Sequence, residues 1–255
     1  MKRLLLAGAA TSVLACGAHA APSTPSYAAI SLVGDKLDIV TYQPQVGSRL
    51  DNNSHTPLML SADELDTAAL RAIGQSLHDA APGAPVALLA ASTSDSFADQ
   101  NRIFSSSHVT LPAEIDAAVH REGATMLILV TKHRGEARLK LRNGYVGSGM
   151  LDGLGYYLDT IKRTRNYDTN VRSTGYLAPY VYADVSLIDV ATSTVLRRAS
   201  ITSGYVIGTS NGEQAVHPWD ALSNAEKVEQ LKSLLTKELQ ETVPALINGA
   251  APKAE

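Results

Sequence analysis

The chain alternates short apolar runs with apolar stripes of helical period, and each period predicts an element. Residues 28–33 and 36–42 are two strand-like runs flanking Gly34 and Asp35. That pair tolerates positive φ, so the spacing predicts a two-residue β-hairpin. Residues 43–60 are polar and carry Pro44, Gly47, Asn52, Asn53 and Pro57, which reads as a loop. Ser61 and Glu64 then make a capping-box pattern, and Leu65, Ala69, Ile73 and Leu77 share one helical face. Pro82-Gly83-Ala84-Pro85 stops that helix, and residues 86–91 are short, apolar and bounded like a buried strand. A second polar loop is expected over 92–108.

A second helix is predicted from Thr110, with Ile115 and Val119 inward and a stop near Gly123. Thr125-Met126-Leu127-Ile128-Leu129-Val130 is a continuous apolar run of the kind covered on both faces of a sheet. Residues 181–190 and 195–207 read as antiparallel strands joined by the turn-length link 191–194. A last amphipathic helix opens with a capping box at Ser223 and Glu226 and turns Val228, Leu231, Leu235 and Leu239 inward; Pro244 should end or kink it. The order predicts an α/β fold, a mixed and partly antiparallel sheet flanked by three helices. One domain over 21–255 is expected, with a Gly/Tyr-rich basic insertion near 136–176.

The amino terminus changes the picture from fold to address. Lys2 and Arg3 precede an apolar stretch over 4–15 that is too short to span a bilayer, and Ala18-His19-Ala20 fits a small-residue cleavage site. This predicts a signal peptide over 1–20 and a soluble periplasmic protein beginning at Ala21. A competing pattern uses the single cysteine: Val13-Leu14-Ala15-Cys16 resembles a bacterial lipobox, in which Cys16 is lipidated and anchors the protein in the outer membrane. If cleavage follows Ala20, the remaining chain has no cysteine, which removes disulfides and thiolate chemistry together. The longest later uncharged apolar stretch, 125–131, is strand-sized, so no transmembrane helix is expected beyond the leader.

Composition is ordinary for a globular chain, with 45% apolar residues, 18% charged residues and a net charge of -3. It points neither to disorder nor to nucleic acid. The distribution is uneven. Residues 27–130 hold five Lys and Arg against twelve Asp and Glu, whereas 131–172 hold nine against four. The middle segment alternates Arg138-Leu139-Lys140-Leu141-Arg142, so a strand there presents one basic and one apolar face. Lys132, Arg134, Arg138, Lys140, Arg142, Lys162, Arg163 and Arg165 are the candidate surface for an anionic partner.

Two segments resemble a pattern from envelope proteins. Arg121-Glu122-Gly123-Ala124-Thr125, leading into the core run, and 182–196, with Leu187-Ile188-Asp189 ahead of a Thr-containing turn, are similar to the curli-secretion lipoprotein family and, more distantly, to the N-terminal domain of TolB-like proteins. Ser193 stands where that family usually has Gly. The resemblance implies the fold and a broad envelope role. In the curli-secretion family the position of 136–176 hosts an insertion that helps build a pore.

Other chemistry is thin. Gly34-Asp35-Lys36-Leu37 resembles the first block of GDSL hydrolases, but Lys36 takes the place of the nucleophilic serine. The glycines at 147–153 lack the strand-turn-helix context of a dinucleotide site. His55, His78, His108, His120, His133 and His217 have no metal-ligand spacing, and Asp63, Glu64 and Asp66 read as helix-dipole acids. Trp219 reads as a packing anchor ahead of the last helix, with stacking on a sugar as the alternative. No cofactor and no metal are expected. The expected function is a non-enzymatic exported envelope protein that assists secretion or assembly by binding an envelope protein or an anionic envelope surface. The alternative is a periplasmic hydrolase built from loop residues such as Asp95, Asp99 and His108.

Overall fold

A computed structural model describes residues 24–34, 36–44, 51–59, 64–91, 100–165, 172–207 and 217–249, with the side chains of 101, 163–165, 172 and 173 outside that set. The leader, Cys16, the Ala20 cleavage site, Ser61, Asp95 and Asp99 therefore lie outside the described residues.

Fourteen strands and three helices of four residues or more in α conformation are described: β1 (Tyr27–Ser31), β2 (Lys36–Thr41), β3 (Ser54–Met59), α1 (Glu64–Ala80), β4 (Val86–Leu89), β5 (Phe104–Ser105), β6 (His108–Val109), α2 (Ala113–Arg121), β7 (Met126–Lys132), β8 (Arg134–Glu136), β9 (Leu139–Leu141), β10 (Gly144–Val146), β11 (Met150–Asp152), β12 (Leu154–Arg165), β13 (Arg172–Asp189), β14 (Thr194–Gly204) and α3 (Asn224–Asn248). The mixed sheet with three helices is the expected fold class. Its axis is β13. One edge pairs over Tyr180–Asp189 with β14, while the other takes β12 at its first half and β7 at its second, all antiparallel. From β12 the sheet continues through β2, parallel, to β3, antiparallel. From β7 it continues through β1 to β4, both parallel.

Strand period sorts the core into three bodies. On one face Ile128, Val130, Tyr156, Val181, Ala183 and Val185 pack against Leu65, Ala69, Ile73 and Leu77 of α1 and Leu231, Leu235 and Leu239 of α3. On the other face Ala28, Ile30, Leu127, Leu129 and Ile188 are covered by Ile115 and Val119 of α2. The rest of that face carries Tyr157, Tyr176, Tyr180 and Tyr182 and is roofed by Leu139 and Leu151 from the small β8–β11 and β9–β10 hairpins. All four tyrosines are at most 1% exposed.

Several local expectations are corrected. β1 and β2 do not form a hairpin: β1 lies between β4 and β7, β2 between β3 and β12. The donors of the intervening turn go instead to Asp66, which accepts from the Ser31 hydroxyl and from the backbone N–H groups of Val33 and Gly34. Asp66 is therefore a buried structural acid as well as a first-turn residue of α1. The loop expected over 43–60 contains β3, an edge strand whose six residues are all exposed, so it carries no hydrophobic alternation to read. β4 is an edge strand too; Val86 and Leu88 lie on the α1 side of the sheet but stay exposed at its margin instead of being buried. Val228 is half-buried, its place on the inner stripe being taken by the stem of Lys227. Pro244 sits inside α3, which runs on to Asn248 and closes with Gly249 in the left-handed conformation. The carbonyl that Pro244 leaves without its helical donor belongs to exposed Gln240, where water reaches it. The Ser223/Glu226 capping box is formed in both directions, and Trp219 packs edge-on to Tyr156, centroids 6.0 Å apart, as an anchor.

Candidate functional site

The basic face forms as the alternation predicts. Leu139 is fully buried on the tyrosine layer, so Arg138, Lys140 and Arg142 point the other way and are exposed. The Arg138 guanidinium lies 4.7 Å from the centre of the exposed Tyr145 ring across the β9–β10 hairpin, a cation–π contact that stiffens the row. The tyrosine layer is tied to this roof by hydrogen bonds. The Tyr182 hydroxyl donates to the Glu136 carbonyl at 2.8 Å and accepts from the Arg138 N–H at 3.0 Å, and the Tyr157 hydroxyl accepts from the Ser148 N–H at 3.2 Å. Burial raises the pKa values of Tyr157 and Tyr182, with these hydrogen bonds pulling back only in part.

The other predicted cations diverge from that row. Arg134 pairs with Asp51 at 3.1 Å. Lys162 lies over the Tyr42 ring, 4.9 Å from its centre, in the bulged part of β12. Arg163 and Arg165 have strand backbone opposite Thr174 and Arg172. Lys132 ends β7, where its N–H donates to Gln100.

Lys132 belongs to a different feature, a cleft of about 210 Å³ lined by Lys36, Asp38, His55, Pro57, Lys132, Asp152 and Leu154. The sheet's split creates it. Lys132 faces Ala183 and Leu154 faces Val181, so β7 stops and β12 starts on either side of Tyr182. The parallel strands β1 and β7 end here, while β2 and β12 begin here. Gly153, at φ +65, separates the lining residues Asp152 and Leu154, and Gly155 beyond them is packed so tightly on the Asp38 carbonyl and the Tyr180 hydroxyl that no side chain fits. His55 Nδ1 lies 2.6 Å from Asp38 and its Nε2 lies 3.9 Å from Asp51. The Tyr180 hydroxyl donates to the Asp38 carbonyl at 3.3 Å; burial first, then the Asp38 and Asp152 charges, hold this phenol far above its usual range. No spacing in the sequence signals this group, because its members come from β2, β3, β7, β11 and β12.

A second titratable group lies on the α2-side face. The buried Asp184 carboxylate accepts from Arg198 and Ser200, both at 2.5 Å, with His133 Nδ1 at 3.4 Å. The serine hydroxyl donates to the carboxylate, not to the imidazole, so this trio lacks the geometry of an activated nucleophile. His108 pairs through its backbone with Thr194; Asp95 and Asp99, the other two residues of the hydrolase alternative, lie outside the described residues. Among the described residues no group of three or more His, Cys, Asp or Glu is placed to hold a metal, and no helix is long and apolar enough to cross a membrane.

These features define an α/β protein with a split mixed sheet and a basic hairpin roof. No family model matches the chain, and no curated protein matches it. Among solved structures it is similar to a Xanthomonas campestris protein described as DUF330, with 11% identity, 90% of each chain covered and a TM-score of 0.37. It is also similar to the PelC dodecamer of Paraburkholderia phytofirmans, with 12% identity, 88% of this chain and 89% of that one covered and a TM-score of 0.32. A third is lipoprotein GNA1162 of Neisseria meningitidis, with 11% identity, 84% and 98% covered and a TM-score of 0.27.

Proposed function

We propose that this chain is an exported, non-enzymatic protein of the cell envelope that docks an anionic envelope surface through the outer face of its β9–β10 hairpin. The carrying observation is the division of one five-residue run. Leu139 is locked into the tyrosine layer while Arg138, Lys140 and Arg142 stand exposed on the opposite side, in a chain whose net charge is -3. A cationic row fixed to a rigid core keeps its spacing, so it meets a partner without the entropy cost of ordering a loop. Export rests on the leader pattern over 1–20, with anchoring through Cys16 as the alternative route to a membrane face. A role in secretion or assembly follows the resemblance to the curli-secretion family.

The test is co-sedimentation of the purified mature chain with vesicles of phosphatidylglycerol or of phosphatidylcholine, at low and high salt. Binding to the anionic vesicles alone, weakened by salt and lost in the Arg138→Glu/Lys140→Glu/Arg142→Glu variant, is the expected result. Equal sedimentation of the native and triple-variant proteins overturns the reading.

A further inference from the structure

The cleft at the split of the sheet has a composition that the basic face does not explain. It is small, about 210 Å³, below the roughly 300–1,000 Å³ of sites for drug-sized ligands, so its occupant is a small solute. Its position is one where open α/β sheets bind ligands, beyond the carboxyl ends of parallel strands and where their connections diverge. From β1 the chain crosses the split to β2, whereas β7 runs on into the β8 hairpin layer. Gln100 bridges the two paths, donating to the Leu32 carbonyl and accepting from the Lys132 N–H, which fixes the rim.

The lining carries both signs of charge. Lys36 and Lys132 contribute ammonium groups and Asp38 and Asp152 carboxylates, with His55 held 2.6 Å from Asp38. An anion alone would meet Asp38 and Asp152, and a cation alone would meet the two lysines, so neither has a complementary site. A molecule bearing a carboxylate and an ammonium group finds an opposite charge for each end. Pro57 and Leu154 supply apolar wall for a short side chain between them. We infer that this cleft binds a small zwitterion of amino-acid size, its carboxylate toward Lys36 and Lys132 and its ammonium toward Asp152. The inference stands independently of the basic face.

The experiment is titration calorimetry of the full mature chain with glycine, L-alanine, D-alanine and L-serine, with acetate and methylammonium as single-charge controls. At least one amino acid binds saturably, with a dissociation constant of about 1 mM or tighter, and raises the melting temperature. Both controls are silent. Lys36→Ala and Asp152→Asn, at exposed positions, each weaken binding about tenfold, the effect of losing one charge-assisted contact. Lys140→Ala on the outward face leaves it unchanged, which separates this site from the docking row. Absence of saturable binding by all four amino acids, binding of either control as tightly as the amino acids, or unaltered affinity in both cleft variants overturns the inference.

Discussion

The Asp66 carboxylate, in the first turn of α1, accepts the Ser31 hydroxyl at 2.5 Å across the end of β1. The same group takes the N–H donors of Val33 and Gly34, so one buried acid decides that the chain leaves β1 for the far side of the sheet instead of turning back on it. Replacement by alanine strands those donors. Asp66→Ala is expected to cost about 3 kcal/mol in urea unfolding, and Asp66→Asn, which keeps one acceptor oxygen, distinctly less. Equal stability of the native and alanine proteins would show that the turn is held by something else.

Gly175 and Gly83 share a positive φ, +82° and +81°, but not a neighbourhood. A Cβ on Gly83 meets open space, while one on Gly175 collides with the Asp159 carbonyl and reaches Pro218 at 2.8 Å. This crowding comes from the bulge in β12, where Asp159 Oδ1 accepts from the N–H groups of Ile161 and Lys162 at 2.8 Å and the register against β13 slips. Gly83→Ala should cost about 1–2 kcal/mol from backbone conformation alone. Gly175→Ala should cost several times that, or prevent folding, because the obstacle is backbone. Similar midpoints for the two variants in denaturant would count against the bulge geometry.

Six tyrosines, Tyr156, Tyr157, Tyr176, Tyr180, Tyr182 and Tyr205, are held above the ordinary phenol value, in every case first by burial. A phenol whose folded value is raised stabilises the fold fully below its unfolded value near 10 and loses that contribution as pH rises past it, since only the unfolded chain then releases the proton. Stability should therefore be flat toward neutral pH and fall steeply above about 10. Phenolate absorbance from these six should appear together with the loss of tertiary structure. Ionisation of most of them while near-ultraviolet dichroism stays native would refute their burial.

Where period and burial coincide, the sequence is legible. Leu65, Ala69, Ile73 and Leu77 on α1, the doubly covered β7 and the inward Leu139 of β9 are each found where their spacing puts them. What escapes is pairing. β1 and β2 each have the composition of a strand, but their partners are set by Asp66 and by strands a hundred residues away, and β3, exposed at every position, carries no periodic signal. The cleft escapes for the same reason. Asp38 and His55 meet only because β2 and β3 pair, and Lys132 joins them only because β13 holds β7 and β12 end to end.

Thr131 and Ser186 carry buried hydroxyls, 2% and 0% exposed, and neither has a hydrogen-bond partner. They sit on the same sheet face as Asp184: Thr131 is directly opposite it on β7, and Ser186 is two residues along β13. The carboxylate is already committed to Arg198, Ser200 and the nearby His133, which leaves the two hydroxyls desolvated without compensation. Removing them should therefore cost nothing. Ser186→Ala and Thr131→Val are expected to be neutral or to stabilise the protein by about 1 kcal/mol. Asp184→Ala, which leaves the exposed Arg198 guanidinium and Ser200 hydroxyl without their buried acceptor, should destabilise it by about 1–2 kcal/mol. Chemical unfolding of the three variants decides the matter, because a loss of more than about 1 kcal/mol in Ser186→Ala or Thr131→Val would mean that those hydroxyls are hydrogen-bonded in solution, to an ordered water held in the seam between the α2 layer and the hairpin roof.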